Sequence, residues 1–583
     1  MGNRVLGWRG IVLAAVAAVL FSGLPRAVAQ TEIGGAAHTP AARWDSYVEQ
    51  FLNGYFAAHP DSAAAAGRHE FDGQLPDWTP AGLRRESERL KAQRERAMAF
   101  RPDELDERRR FERDYLIDEV DNERYWLEVS ESPYTNPTSY SGSLDPDVYV
   151  SREYAPLETR IKAFTQYARN VPAALQQVKA NLRLPMAKTM VKIGRRTIGG
   201  LADFYANDVT TVFAPVKDEQ LQREFRAAND AAIAAVRAFD AWLASQEATA
   251  TDKFALGAEK FALMLRMTEA VDVPLSELEA IGRRDLERNQ QALRLACASF
   301  APGKSVQDCM ILAAAHKPKN PDPVAAATDQ LGNLLGFLQQ HDIVTVPGTE
   351  QAKVRQAPAY RAWNFAYINI PGPYEKNLPS IYYVSPPDPT WSKAVQDAYL
   401  PSEAALLFTS AHEVYPGHFV QFLHANRSPS KVGQVFVGYA FAEGWAHYCE
   451  EMMYDAGLGG GDPEAHVGQL QEALLRNVRF LVSIGLHTQG MSVERAKQMF
   501  IADAFQDEGN AQQQAERGAF DPAYLNYTMG KLMIRKLRDD WTATRGGRAA
   551  WKQFHDEFLK FGGPPIPLIR RAMMGPEDNG SLF

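Results

Sequence analysis

The sequence predicts a mainly α protein, a single large helical assembly in two lobes around a cleft, with a small β-sheet. Three observations carry that expectation. Apolar residues recur every three or four positions along most of the chain, the spacing of one buried helix face. Short β-rich runs bounded by Pro and Gly gather in one stretch, residues 343–384. The composition is that of a soluble globular chain, with 45% hydrophobic and 23% charged residues among 583. A chain this long can bury about three-quarters of its unfolded surface without cross-links. The 63 basic and 71 acidic residues leave a formal charge of −8, which argues against nucleic acid as a partner.

Residues 1–29 predict a signal peptide. Arg4 and Arg9 precede the apolar run Gly10–Phe21, and Ala27-Val28-Ala29 is a small-residue cleavage signal before Gln30. An uncleaved anchor is the alternative, but a run of about 12 residues is short for a span. The expected product is periplasmic or secreted, with no stable membrane insertion. Cleavage would remove three Arg and no acid, leaving 554 residues and a charge of −11. In an oxidising compartment, Cys297 and Cys309, around the Pro302-Gly303 turn, suit either a local disulfide or two buried thiols. Cys449 reads as a small core residue. Gly303-Lys304-Ser305 is not a phosphate loop, because Ala298 stands where that motif needs its first glycine.

The remaining residues, 30–583, divide into an N-terminal helical lobe, 30–270, and a second lobe, 271–583. Helices are expected over Ala42–Ala57, Glu107–Val129, Glu158–Leu182, Glu219–Leu243, Phe254–Glu269 and Leu275–Ala298. The fourth shows the pattern clearly: Leu221, Phe225, Ala228, Ala232, Ala235, Phe239 and Trp242 form one stripe. Strands are expected at Ile343–Val346, Phe365–Ile370 and Ile381–Val384, the last ended by Pro386, Pro387 and Pro389. Helices resume near Ser402.

Six of the twelve histidines (His412, His418, His424, His447, His466 and His487) fall within 76 residues. At their head stands His412-Glu413-Val414-Tyr415-Pro416-Gly417-His418. A His-Glu pair on a helix offers an imidazole for Zn²⁺ and a carboxylate to polarise an attacking water. Position +4, the usual second ligand, is Pro416. His418, at +6, would point about 120° away on an ideal helix. Pro416 and Gly417 favour a break that could turn it back. Glu443, 25 residues after His418, sits among Phe441, Ala442, Gly444 and Trp445, where a buried carboxylate needs a cation. Two His and one Glu would leave one metal position open, the pattern of a catalytic site. His447, one turn after Glu443, is the alternative third ligand.

HEVYPGH and EGWAHYCEE resemble the motifs of a large bacterial family, domain of unknown function 885, which is itself similar to the gluzincin zinc metallopeptidases. Weaker marks include Ala66-Gly67, Asp72–Pro76, Gly485-Leu486-His487 and Tyr527-Thr528-Met529-Gly530-Lys531. The resemblance implies a gluzincin-like helical fold with the sheet beside the metal helices. It implies His412, His418 and Glu443 as ligands of one Zn²⁺ or another divalent metal, and Glu413 as the general base. His447, Glu450 and Glu451 are then partners behind the ligands or surface charge.

Two helical stripes offer further groups: Arg479, Ser483 and His487, spaced by four, and Tyr524, Tyr527 and Lys531. Tyr527 and His487 are candidate donors to a developing oxyanion. Arg479 is a candidate for a substrate carboxylate, with Tyr524 and Lys531 beside it. Tyr383, in the strand Ile381–Val384, could help align an extended peptide. The function expected is an exported zinc-dependent peptidase of short peptides. The alternatives are a metal-dependent hydrolase of esters or non-peptide amides, and a non-catalytic binding protein on a peptidase scaffold.

Overall fold

Several helices begin where a side-chain oxygen satisfies the first turn. Thr39 accepts the Ala42 N–H and opens α1, Pro40–Ala58. Asp106 opens α2, Glu107–Arg124, in the same way. Pro156 precedes α3, Leu157–Asn181, and Asp218 caps α4, Glu219–Gln246. Next comes α5, Leu275–Phe300. These spans follow the apolar periodicity closely. The computed structural model describes residues 39–357, 365–387, 392–575 and 577–583; the expected signal peptide and its cleavage position lie outside them.

Strands β1 (Ala352–Gln356), β2 (Ala366–Asn369) and β3 (Ser380–Val384) make one sheet in the order β1-β3-β2. β1 runs parallel to β3, with Ala352 opposite Ser380, and β2 runs antiparallel to it, with Tyr367 opposite Tyr383. Two of the three expected strands are present, but Ile343–Val346 is not one of them. Its backbone groups go to side chains instead: the Thr345 N–H donates to Asp556, and the Ile343 and Thr345 carbonyls meet His555 and His424. β1 takes its place, an edge strand whose alternating Lys353 and Arg355 hide its β character behind charge.

The C-terminal half adds α6 (Glu403–Glu413), α7 (His418–Ala425), α8 (Tyr439–Asp455), α9 (Pro463–Thr488), α10 (Glu508–Phe520) and α11 (Asn526–Ala543). Ser402 caps α6 by accepting the Ala405 N–H. The largest core joins α5, β3, α6, α8, α9 and α11. A second core lies between α3 and α4 around Phe164, Phe225 and Val236. A third sets Trp44, Phe51 and Tyr115 of α1 and α2 against Val432, Phe436 and Leu568, so the N-terminal helices close onto the C-terminal half. Cys297 and Cys309 are bonded, tying the end of α5 to the helix that follows; Cys449 is a buried thiol.

Helices α8 and α11 approach through glycine. A Cβ on Gly530 would meet the Ala440 carbonyl oxygen at 2.0 Å, and one on Gly444 would meet Gly530 Cα at 2.5 Å. That contact sets Tyr527 of α11 beside Glu443 of α8. Gly530→Ala is therefore expected to cost about 3 kcal/mol, the upper end for overpacking. Denaturant unfolding reads this as a lower midpoint; an unchanged midpoint would contradict the close contact.

Candidate metal centre

The chain breaks where Pro416 and Gly417 suggest it should. α6 ends at Glu413, Val414 leaves helical geometry (φ −124°, ψ −74°), and Gly417 (φ −66°, ψ −132°) starts α7 at His418. The Tyr415–Pro416 peptide is cis. A Cβ on Gly417 would lie 1.7 Å from the His412 carbonyl oxygen, so only glycine fits. The turn is held by the Gly417 N–H on Ala411 O at 2.9 Å and by Trp445 Nε1 donating to Pro416 O at 2.9 Å. The two imidazoles end 4.9 Å apart, centroid to centroid, at 88°.

Glu443 projects from the first turns of α8 into this corner. Its Oε2 lies 3.4 Å from His412 Nε2 and 3.5 Å from His418 Nε2. One ligand atom from each residue falls within 4.8 Å of the others. Oε2 is shielded from solvent and makes no hydrogen bond. A carboxylate oxygen and two imidazole nitrogens converging on one point, with that oxygen otherwise orphaned, fit a divalent cation of the zinc type.

The residues behind His412, His418 and Glu443 fix the orientation of His412. Glu443, His447 and Glu450 follow each other at i, i+4 and i+7 on α8. The fully buried Glu450 accepts from His412 Nδ1 at 2.6 Å, which leaves Nε2 free to ligate. Glu450 also faces His447 Nδ1 at 3.2 Å and Arg476 at 3.2 Å, and Arg476 is held by Glu472 at 2.7 Å. His447, the alternative ligand, is thus turned onto Glu450 and stands outside the cluster, and burial lowers it to about 4. Burial pushes the Glu450 and Glu443 carboxyls up, but Arg476 and the hydrogen bonds from His412 and His447 outweigh it for Glu450, and His418 and His412 do so for Glu443. Both stay well below the usual range. Burial disfavours charge on His412 too, yet Glu443 and Glu450 raise it to about 9. The two carboxylates around this imidazole, Glu443 and the buried Glu450, thus form a set that takes up positive charge.

Glu413, His412, His418, Glu443 and Tyr527 line one cavity of about 700 Å³. Burial raises the Glu413 carboxyl above its ordinary value. Tyr527 stacks 6.4 Å from His412 and is surrounded by three guanidiniums, Arg476, Arg479 and Arg517, at 5.6, 4.9 and 5.7 Å from its ring. The far wall comes from the N-terminal half, with Asp61, Asp145 and Asp147, and from Tyr367–Ile370 at β2.

Other expected site residues lie elsewhere. His487 donates from Nε2 to Gly518 O at 2.7 Å and accepts the Leu256 N–H at Nδ1, so both ring nitrogens serve the backbone. Lys531 is buried on Asp285 at 2.9 Å and Glu451 at 3.2 Å, inside a network with Arg288 and Arg535. Arg479 reaches the cavity only behind Tyr527, with Nε on Gln514 at 2.9 Å. Tyr524 is fully buried against Gly518 and off the cavity wall. Tyr383 stacks on Tyr367 at 5.1 Å in the central strand, whose two edges are both paired. Ser483 donates to Pro522 O. Sequence reasoning missed Arg476 and Arg517. For Arg476 the only signal was Glu472 one turn earlier.

The fold and this corner define a class: α-rich proteins with a His-His-Glu cluster on the wall of an internal cavity. The chain belongs to the family described as bacterial protein of unknown function, DUF885, matched over residues 60–573. It is similar to a putative lipoprotein of unknown function from Shewanella oneidensis, at 23% identity and TM-score 0.76 over 92% of this chain and 100% of that one. It is also similar to a putative lipoprotein from Colwellia psychrerythraea, at 17% identity and TM-score 0.75, covering 92% and 99%. At these identities the likeness is one of fold. No curated protein matches the chain.

Lys531 should matter to stability. Lys531→Met leaves Asp285 and Glu451 buried with one cation fewer, which is expected to cost about 3 kcal/mol at neutral pH. Burial raises both carboxyls, but Lys531 and Arg288 hold them below their ordinary range. Depressed carboxyls give stability that is present above the unfolded values and lost in acid. The gap between wild type and variant should therefore narrow as the pH falls below about 4. Chemical unfolding across pH measures it; a normal stability with only a raised KM would restore Lys531 to substrate binding.

Proposed function

We propose that this protein is an exported, zinc-dependent peptidase acting on short peptides. The observation that carries the reading is the convergence of His412 Nε2, His418 Nε2 and Glu443 Oε2, with Glu413 beside them on the same cavity wall. A gluzincin-like fold of two lobes around a cleft accords with this donor set. Export accords with the N-terminal signal pattern and with the name lipoprotein given to both solved relatives. No described helix is long and apolar enough to cross a membrane.

His412, His418 and Glu443 would hold the metal. When bound, zinc supplies a Lewis acid that polarises a carbonyl and acidifies a water. Glu413 takes a proton from the attacking water and passes it to the departing amine. The Tyr527 hydroxyl donates to the carbonyl oxygen as negative charge develops there. Arg517 positions that phenol from behind: it donates to Tyr439 Oη at 2.9 Å and to Asp521 at 3.0 Å while facing the Tyr527 ring. Glu450 keeps His412 in the tautomer that ligates through Nε2. β2 lines the cavity and, among the described residues, pairs only with β3.

Glu413→Gln is expected to keep the metal and lose about 10²- to 10⁴-fold in turnover. His418→Ala should lose the metal itself. Metal analysis beside a peptide-library digest with and without chelator reads both; near-normal turnover in Glu413→Gln would remove the base assignment. Glu450→Gln should weaken zinc binding about 10- to 100-fold while leaving the ligands intact. Competition with a fluorescent chelator measures this, and an unchanged affinity would show that Glu450 does not orient His412.

A further inference from the structure

A second chamber of about 1040 Å³ adjoins the metal chamber. Asp61, Gln74 and Ser143 belong to the walls of both, and Ser143 Oγ donates to Asp61 Oδ2 at 2.7 Å where they meet. Tyr439 joins them a second time. It lines the second chamber, and its ring meets the Tyr527 ring of the metal chamber at 5.9 Å.

The two chambers differ in chemistry. Asp145, Asp147, Glu413 and Glu443 give the metal chamber an acidic wall. The second offers Leu75, Trp78, Leu83, Trp126, Leu127 and Phe520. Trp126 and Phe520 sit at the edges of the apolar cores and are only partly covered by the fold. A concave apolar wall of this size, left incompletely covered, is the usual form of a binding site. Its buried ionic groups are drawn mainly to one another. His59 lies 3.1 Å from Glu86 and 3.6 Å from Glu123, and Arg89 lies 2.6 Å from Glu86. With Arg89 on Glu86, this His-Glu-Glu group is an ion-pair cluster rather than a second metal site.

We infer that the second chamber is the distal part of the substrate cleft and receives an aromatic or large aliphatic side chain of the same peptide, several residues from the bond that is cut. The inference rests on the peptidase reading, and the occupant follows from continuity: a chain lying on the metal centre reaches the apolar walls past Asp61 and Ser143. Dipeptides would fill the metal chamber alone, whereas longer peptides would be selected by their far end.

The test uses peptides of two and of six to eight residues, the longer ones carrying either Phe or Ser at the distal end. With wild-type protein, kcat/KM for the distal-Phe peptides should exceed that for the distal-Ser peptides by about tenfold or more, the effect of burying one aromatic side chain. In Trp126→Ala and in Phe520→Ala that ratio should fall toward one, with dipeptide turnover unchanged. A ratio near one in wild type, or one that neither variant alters, would overturn the inference while dipeptide turnover still upheld the peptidase reading. If no peptide is cleaved, the peptidase reading fails, and calorimetric titration of the same long peptides decides the chamber. A Phe preference in Kd that Phe520→Ala removes would support it, and equal Kd values would overturn it.

Discussion

Gly417 lies against the carbonyl oxygen of His412, and the corner where His412, His418 and Glu443 converge depends on that contact. Two imidazoles six residues apart on a continuous helix diverge. Ending α6 at Glu413 and restarting the helix at His418 brings them to 4.9 Å and 88°. Any side chain at 417 would collide with the backbone it folds against. Trp445 then fastens the turn to α8, the helix that carries Glu443, so the break and the placing of Glu443 are set by one packing arrangement.

Charge is organised around the same corner in layers. The converging donors lie nearest the cavity, Glu450 stands behind His412, and Arg476 stands behind Glu450. Farther back, Lys531, Arg288 and Arg535 meet Asp285 and Glu451. At the front, Glu443 Oε2 faces the two histidines without a hydrogen bond. In low-dielectric surroundings an unmatched carboxylate is costly, and a divalent cation offsets that cost. The glycine contact between α8 and α11 adds Tyr527 to this arrangement from a third direction.

Much of the fold was legible because α1 to α5 bury one face and expose the other, so apolar spacing marked them. The convergence of His412, His418 and Glu443 was legible because the residues of each motif lie close together in sequence. The helical stripes on α9 and α11 were less informative for a physical reason. From Ala473 to His487 every residue of α9 is buried, so spacing by four no longer says which face meets the cleft. Arg479, Ser483 and His487 do share a stripe, yet Arg479 faces Gln514, and His487 and Ser483 serve backbone carbonyls. Arg476, one turn nearer the ligands, holds Glu450. Lys531 looked like a substrate group because its partner Asp285 lies 246 residues away. Ile343–Val346 has strand-forming residues, but side chains take its backbone bonds before another strand can.

Anomalous diffraction at the zinc edge, from crystals grown with zinc, addresses the central claim most directly. A single peak bounded by His412 Nε2, His418 Nε2 and the Glu443 carboxylate is the expected result. Zinc bound only elsewhere, with these three side chains hydrogen-bonded to one another, would contradict it.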